Sequence, residues 1–390
     1  MLDVAAAQAA LRDEGLDGWL LYDFRGQNTI AAQLAGLDAG RKATRRWFWL
    51  VPAEGEPTAL VSAVEQHVLA VPGRRVVYRG WRELETELAA LLAGRRRVAM
   101  EVSPGAAVPV VGRVDWGTVE LVRSLGVEIV SSANLVQLFD ARWTPEQVAL
   151  HERAAAGVLR AKDELFAWLG DVLGQTKESD AQAFLLDRLA AAGLETRYTP
   201  CVAVDEHAAD PHFETVEGPD DRTLGLGSLV LVDVWGKVAG EADAVYADIT
   251  WMAWAGAEPP ARVNEVWSLV QAARDAAIQT VEETIASGRP LHGFEVDRAA
   301  RGVIDAAGYG ERFLHRTGHS LGTEVHGNGV NMDDLETRDE RLVVPGLGFT
   351  IEPGIYLPGE LGVRSEVNMV VEPGRARVTT EPQTELVLLG

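Results

Sequence analysis

Four acidic residues stand where strands are expected. LVLVDVWG places Asp233, YADIT places Asp248, TIEPGIY places Glu352 and VRSEVNM places Glu366 among β-forming neighbours. Burying one unpaired charge costs several kcal/mol. A single such acid could face water from an edge strand, but four in one half of the chain call for neutralisation. Arg364, two residues before Glu366 on the same strand face, can pair with one of them. Divalent cations can serve them all. The imidazole for such a centre lies in HRTGHSLGTEVHG, residues 315–327, which holds three of the eight histidines. His315 and His319 have the spacing of the HExxH zinc helix, but Arg316 stands where that motif has its general-base Glu. Gly318 and Gly322 also weaken a helix there. The segment reads instead as a loop and an extended strand, from which His319 and His326 reach one cavity. Four carboxylates and an imidazole suit two hard-to-borderline ions such as Mn²⁺ or Co²⁺. Two such ions roughly 3.5–4 Å apart activate a bridging water and polarise a carbonyl.

The elements that must hold these residues alternate along the chain. Residues 4–14 form an Ala-rich helix ahead of the apolar run GWLLYDF, and WFWLVPAEGEPTALV reads as a hairpin around a Pro/Gly turn. WRELETELAALLAG has helical spacing and a C-terminal Gly, while RRRVAMEV and VEIVSSA read as short buried strands. This is an α/β domain over residues 1–142. At FDARWTPEQ a second domain, 143–390, begins: Thr144 suits an N-cap and Pro145 the first helical position. A second helix, ESDAQAFLLDRLAAAG, starts at Ser179 or Asp180. Two helices and a set of strands then occur twice over, which suggests a structural duplication and an α+β class with a largely antiparallel sheet.

Composition narrows the partners. The formal charge of −22 argues against nucleic acid and anionic membranes. No apolar run nears the roughly 20 residues of a membrane helix, and the acidic N-terminus lacks a signal peptide's basic region. Cys201 is the one cysteine, so disulfides and a thiolate metal cage are excluded; a small buried apolar role suits it. A reducing cytoplasm is the expected location.

Taken together, LVDVWG, YADIT, GHSLGTEVH, IEPGIY and VRSEV resemble, in order, the ligand segments of the pita-bread metallopeptidases of family M24. They are most similar to the branch of Xaa-Pro dipeptidases (prolidases) and aminopeptidase P. The resemblance covers residues 145–390, and the N-terminal half is similar to the extra creatinase-like domain of that branch. It implies a catalytic pita-bread domain with two divalent metal ions, Mn²⁺ first and Co²⁺ or Zn²⁺ as alternatives. Asp233, Asp248, His319, Glu352 and Glu366 would be the ligands, with Glu352 also taking the proton of the attacking water. His326 would contact the substrate carbonyl, His212 in DPHFE would lie over the cleft, His315 would shape a proline pocket, and Arg364 would orient Glu366 or touch substrate. His67, His151, His207 and His292 match no family position and are expected at the surface. The chain departs from the family in a wider gap between Asp233 and Asp248, which leaves Asp243 as a competitor, and in Trp251, where the family carries arginine.

These expectations amount to a cytoplasmic homodimeric exopeptidase that cleaves the Xaa-Pro bond of a small peptide with proline second, dipeptides first. The imide nitrogen has no proton and the ring is rigid, so this bond needs a shaped pocket. An aminopeptidase P acting on longer peptides, a hydrolase of a small non-peptide amide, and a catalytically inactive peptide-binding module are the alternatives.

Overall fold

Apolar runs and caps set the N-terminal elements. In the computed structural model, which describes residues 1–37 and 43–390, the chain divides into two units, Met1–Asp140 and Ala141–Gly390. In the first, Asp3 caps α1 (Val4–Asp13) by accepting the Ala6 N–H. β1 (Gly18–Asp23), α2 (Thr29–Leu34), β2 (Trp47–Pro52), β3 (Thr58–Ser62), β4 (Arg74–Tyr78), α3 (Trp81–Leu92), β5 (Arg97–Met100), α4 (Trp116–Ser124), β6 (Glu128–Ser131) and α5 (Ala133–Val136) follow. The strands form one sheet in the order β4-β3-β2-β1-β5-β6. The hairpin expected at WFWLVPAEGEPTALV is present, with Phe48 opposite Leu60. Alternation splits its aromatics between two cores: Trp47 and Trp49 pack with Leu11 and Ile30, and Phe48 packs with Leu84 and Leu88. β6 differs from the expected buried strand, because as the last strand of the sheet it is half-exposed.

In the second unit, α6 (Pro145–Val172) opens on a full capping box: Thr144 accepts the Gln147 N–H and Gln147 accepts the Thr144 N–H. α7 (Glu178–Ala191) starts just ahead of Ser179, because Lys177 is its cap position and Asp180 reaches back to the Lys177 N–H. β7 (Leu194–Glu195), β8 (Cys201–Val204), β9 (Leu229–Val238), β10 (Ala247–Ala255), α8 (Ala261–Ala286) and α9 (Gly293–Ala306) come next. β11 (Gly348–Ile351), β12 (Gly354–Leu357), β13 (Leu361–Arg364), β14 (Val367–Glu372), β15 (Arg375–Val378) and β16 (Val387–Leu389) complete it. Pairing is antiparallel except between β10 and β16.

The β9–β10 pair separates two environments. Val230, Val232 and Val234 with Ile249, Trp251 and Ala253 pack on α6 and α7. The opposite face joins α8, α9 and the later strands through Leu229, Leu231, Met252, Val266 and Phe349. Asp233, Asp248 and Thr250 belong to this second face by alternation. Trp251 therefore turns away from them, and its ring is covered by the buried Lys162 ammonium 3.4 Å from the ring centroid. The tryptophan thus belongs to the α6 contact rather than to the acidic face.

Two expectations change on this frame. Glu352 and Glu366 do not lie inside strands: each falls in a two-residue break, Glu352–Pro353 between β11 and β12 and Ser365–Glu366 between β13 and β14. Pro353 has no N–H to continue a ladder. Released from it, the Glu352 N–H donates to the Thr317 carbonyl at 2.7 Å and the Glu366 N–H to the Thr250 carbonyl at 3.2 Å. His151, expected at the surface, is fully buried, with its ring nitrogens on the Tyr246 carbonyl and the Thr379 hydroxyl. Burial pulls its pKa down to about 4. Among the described residues no helix is long and apolar enough to cross a membrane.

Candidate metal centre

Each ligand candidate is delivered by a different element. β9 presents Asp233, β10 presents Asp248, and the two strand breaks present Glu352 and Glu366. His319 comes from the segment after α9, which is a loop held by the isolated pairings Gly318–Met332 and Ser320–Phe349 rather than an extended strand. That loop runs hard against β11. A Cβ on Gly318 would stand 1.9 Å from the Thr350 carbonyl oxygen, so only glycine fits. Buried Asp297 on α9 holds the same loop through the Thr317 N–H at 2.9 Å and hydroxyl at 2.7 Å, and is itself paired with Arg301.

The side chains converge. Ligand atoms of Asp248, His319 and Glu366 all lie within 4.8 Å of one another. Glu352 Oε1 stands 3.4 Å from His319 Nε2, and Asp248 Oδ2 stands 3.7 Å from it. Asp233 is joined through Thr250, whose hydroxyl is 2.8 Å from Glu366 Oε2 and 3.2 Å from Asp233 Oδ1. Asp243 is exposed in the β9–β10 connection and is not among the grouped Asp248, His319 and Glu366. Arg364 is buried and donates to the Thr250 hydroxyl, Tyr356 hydroxyl, Pro211 carbonyl and Asp233 carboxylate. The acid it pairs with is Asp233, and it reaches Glu366 only through the Thr250 hydroxyl.

The electrostatics of the cluster suit cations. Burial raises the pKa values of Asp233, Asp248, Glu352 and Glu366, and mutual repulsion raises those of Asp233, Asp248 and Glu366 further. One guanidinium is not enough for four carboxylates. Asp248 Oδ1 and Glu366 Oε1 are buried and have no hydrogen-bond partner. His319 Nδ1 lies 3.1 Å from the Ser320 carbonyl and donates its proton there, so Nε2 turns a lone pair toward carboxylate oxygens. A lone pair facing two carboxylates, beside two orphaned carboxylate oxygens, is a donor set for a divalent cation. Burial also holds the His319 pKa at about 3, which keeps that lone pair unprotonated.

The remaining histidines differ in their freedom. His326 sits edge-on to His319 with ring centroids 4.4 Å apart, and the repulsion that two imidazoliums would meet there, with desolvation, holds its pKa at about 3. His212 is exposed in the turn after Asp210, where its N–H donates to the Asp210 carboxylate. His315 has both ring nitrogens committed, Nδ1 to the Arg316 carbonyl at 2.8 Å and Nε2 to the Tyr356 hydroxyl at 2.7 Å. It offers a ring face and shape rather than a proton.

Thr250, Thr350 and Tyr356 escaped the sequence reading. Thr350 donates to Glu352 Oε1 and accepts the His319 N–H, both at 2.9 Å, so one hydroxyl places two candidate ligands. Thr250 and Thr350 each stand two residues from a candidate acid, on the same face by strand alternation. That period was the available signal.

Residues 149–373 match the model of metallopeptidase family M24. The chain belongs to this family. It is 29% identical over 397 residues to the probable dipeptidase PepE of Mycobacterium tuberculosis, covering 99% of this chain and 96% of that one. It is 31% identical over 202 residues to an Xaa-Pro dipeptidase of Lactobacillus delbrueckii subsp. lactis, 52% of this chain and 50% of that protein. The crystal structure of dipeptidase PepE from Mycobacterium ulcerans superposes with a TM-score of 0.74 at 27% identity, covering 99% and 96% of the two chains. The fold is the pita-bread fold with α+β character.

Proposed function

We propose that this M24 peptidase is a metal-dependent dipeptidase that hydrolyses the Xaa-Pro bond. The observation that carries the reading is the convergence of His319 Nε2 with the orphaned oxygens of Asp248 and Glu366. Full-length likeness to a probable dipeptidase supports a dipeptide substrate, and partial likeness to an Xaa-Pro dipeptidase supports proline in the second place.

Asp233, Asp248, His319, Glu352 and Glu366 would hold two divalent ions, Mn²⁺ first. When bound, the ions supply an acidified water and a polarised carbonyl. Glu352 would serve as the general base. Burial raises its affinity for a proton, and Thr350 fixes the carboxyl against His319. His326 is neutral at physiological pH and can donate an N–H to the oxygen that gains charge as the carbonyl is attacked. His315, locked by Tyr356, would bound the space for a rigid ring, and Arg364 would orient Asp233. His212 would lie over the cleft. We read a homodimer of this enzyme as the working state.

Ala-Pro, Leu-Pro, Gly-Pro-Pro and the proline-free Ala-Ala, each offered with Mn²⁺, test the reading. Faster turnover of Ala-Pro and Leu-Pro than of the other two supports it. Preference for Gly-Pro-Pro would make the chain an aminopeptidase P, and equal use of Ala-Ala would remove the proline requirement.

A further inference from the structure

We infer that His207 and Phe213 are positioning residues for His212, and that their ring stack sets substrate affinity. This rests on the peptidase reading above. His207 was expected to be an unassigned surface residue. Its side chain is only 17% exposed, and both ring edges are engaged. Nδ1 donates to the Glu178 carboxylate at 2.9 Å, while Nε2 accepts from Arg222 Nε at 3.2 Å. A guanidinium carries no acceptor, so Nε2 is unprotonated and the tautomer is fixed. Glu178 is itself buried at the start of α7, where it also accepts the N–H groups of Val204 and Arg222. The ring plane of His207 is thereby tied to α7, β8 and the strand-like stretch at Thr223.

The face of that ring stacks on Phe213, with centroids 4.4 Å apart and 26° between planes. Phe213 is the residue after His212. Between the two rings the chain makes a closed turn: the Asp210 N–H donates to the His207 carbonyl, the Phe213 N–H to the Asp210 carbonyl, and the His212 N–H to the Asp210 carboxylate. The turn is entered through Asp205, a non-glycine residue at φ 55, whose carboxylate accepts the Leu229 N–H at 2.7 Å. Such strained backbone persists where its surroundings over-determine it. On the other side the turn meets the metal centre. Arg364 donates to the Pro211 carbonyl at 3.3 Å, and a Cβ on Gly362 would stand 1.7 Å from the Ala208 carbonyl oxygen. The exposed His212 ring takes its place from this turn, held between Arg364 on one side and the His207–Phe213 stack on the other.

A double-mutant cycle on the full-length, Mn²⁺-loaded chain tests the inference with Ala-Pro hydrolysis, alongside metal content and thermal unfolding. Phe213→Leu keeps apolar volume but removes the ring. It should raise KM roughly three- to tenfold, the range of a lost aromatic pair, with kcat within about twofold. His207→Asn should do the same, and Phe213→Tyr should restore wild-type KM. In a His212→Ala background, Phe213→Leu should change KM no further. An unchanged KM for Phe213→Leu, or the same rise in KM with and without His212, overturns the inference while leaving the peptidase reading intact. A wild-type chain inactive on every Xaa-Pro peptide overturns both.

Discussion

At the scale of single residues, a carboxylate's role here follows from what compensates its charge. Asp233 has a guanidinium, whereas Asp248 and Glu366 each keep a buried oxygen without a partner. Glu352 lies between, braced by Thr350 and near His319. Exchanging Glu352 for Gln should lower kcat at least about a hundredfold, because a general base contributes on that order, while circular dichroism stays unchanged. Thr250→Val removes the hydroxyl shared by Asp233, Glu366 and Arg364. It should weaken Mn²⁺ binding roughly 10–100-fold in a calorimetric titration, the usual effect of a lost outer partner of a metal ligand. The acids could be read from the sequence because charge interrupts β-forming runs. The threonines break no pattern, since threonine is itself a β-former, and only their two-residue spacing from an acid points to them. His151 was misplaced for a similar reason: nothing in LHER signals that the ring lies under the Tyr246 carbonyl.

At the scale of elements, caps and close approaches were legible to different degrees. The capping box of α6 is local, and Thr144, Pro145 and Gln147 announce it. Replacing Thr144 with Ala should cost about 1 kcal/mol, seen as a lower midpoint in urea. Pro353 marks the break at Glu352 locally, but the partners that settle both breaks, Thr317 and Thr250, lie far along the chain, and nothing local marks the one at Glu366. The loop bearing His319 was expected to extend into a strand. It is held instead by contacts from α9 and β11 that no local period encodes. His151 gives a pH test at this scale, because it joins α6 to the Tyr246 carbonyl ahead of β10 and the Thr379 hydroxyl after β15. Its folded pKa of about 4 lies below the ordinary 6.5, so the unfolded chain binds the extra proton between those values. Its contribution is full above pH 6.5 and is lost as pH falls toward 4, on the order of 3 kcal/mol across the window. The destabilisation caused by His151→Asn, read by urea unfolding, should therefore be smaller at pH 5 than at pH 7.

At the scale of the whole molecule, the formal charge of −22 and the two-unit organisation set how a metal acts. The candidate ligands all belong to Ala141–Gly390. A cation bound only by the folded state stabilises by RT ln(1 + [L]/Kd), about 2.7 kcal/mol at a hundredfold excess over Kd. Hydrogen-exchange protection should thus rise on adding Mn²⁺ in residues 141–390, above all in β9, β10, β11 and β14, and much less in residues 1–140. The alternation of helices and strands made the fold class legible, since each period is a property of one element. The meeting of five side chains from five places is a property of the tertiary structure, and a resemblance of ordered motifs was needed to anticipate it. The most direct measurement is steady-state hydrolysis of Leu-Pro by the full-length chain, stripped of metal and then titrated with Mn²⁺. Activity absent without metal and saturating as two equivalents of Mn²⁺ bind is the expected result; metal bound with no hydrolysis of Leu-Pro, or hydrolysis indifferent to metal, would contradict it.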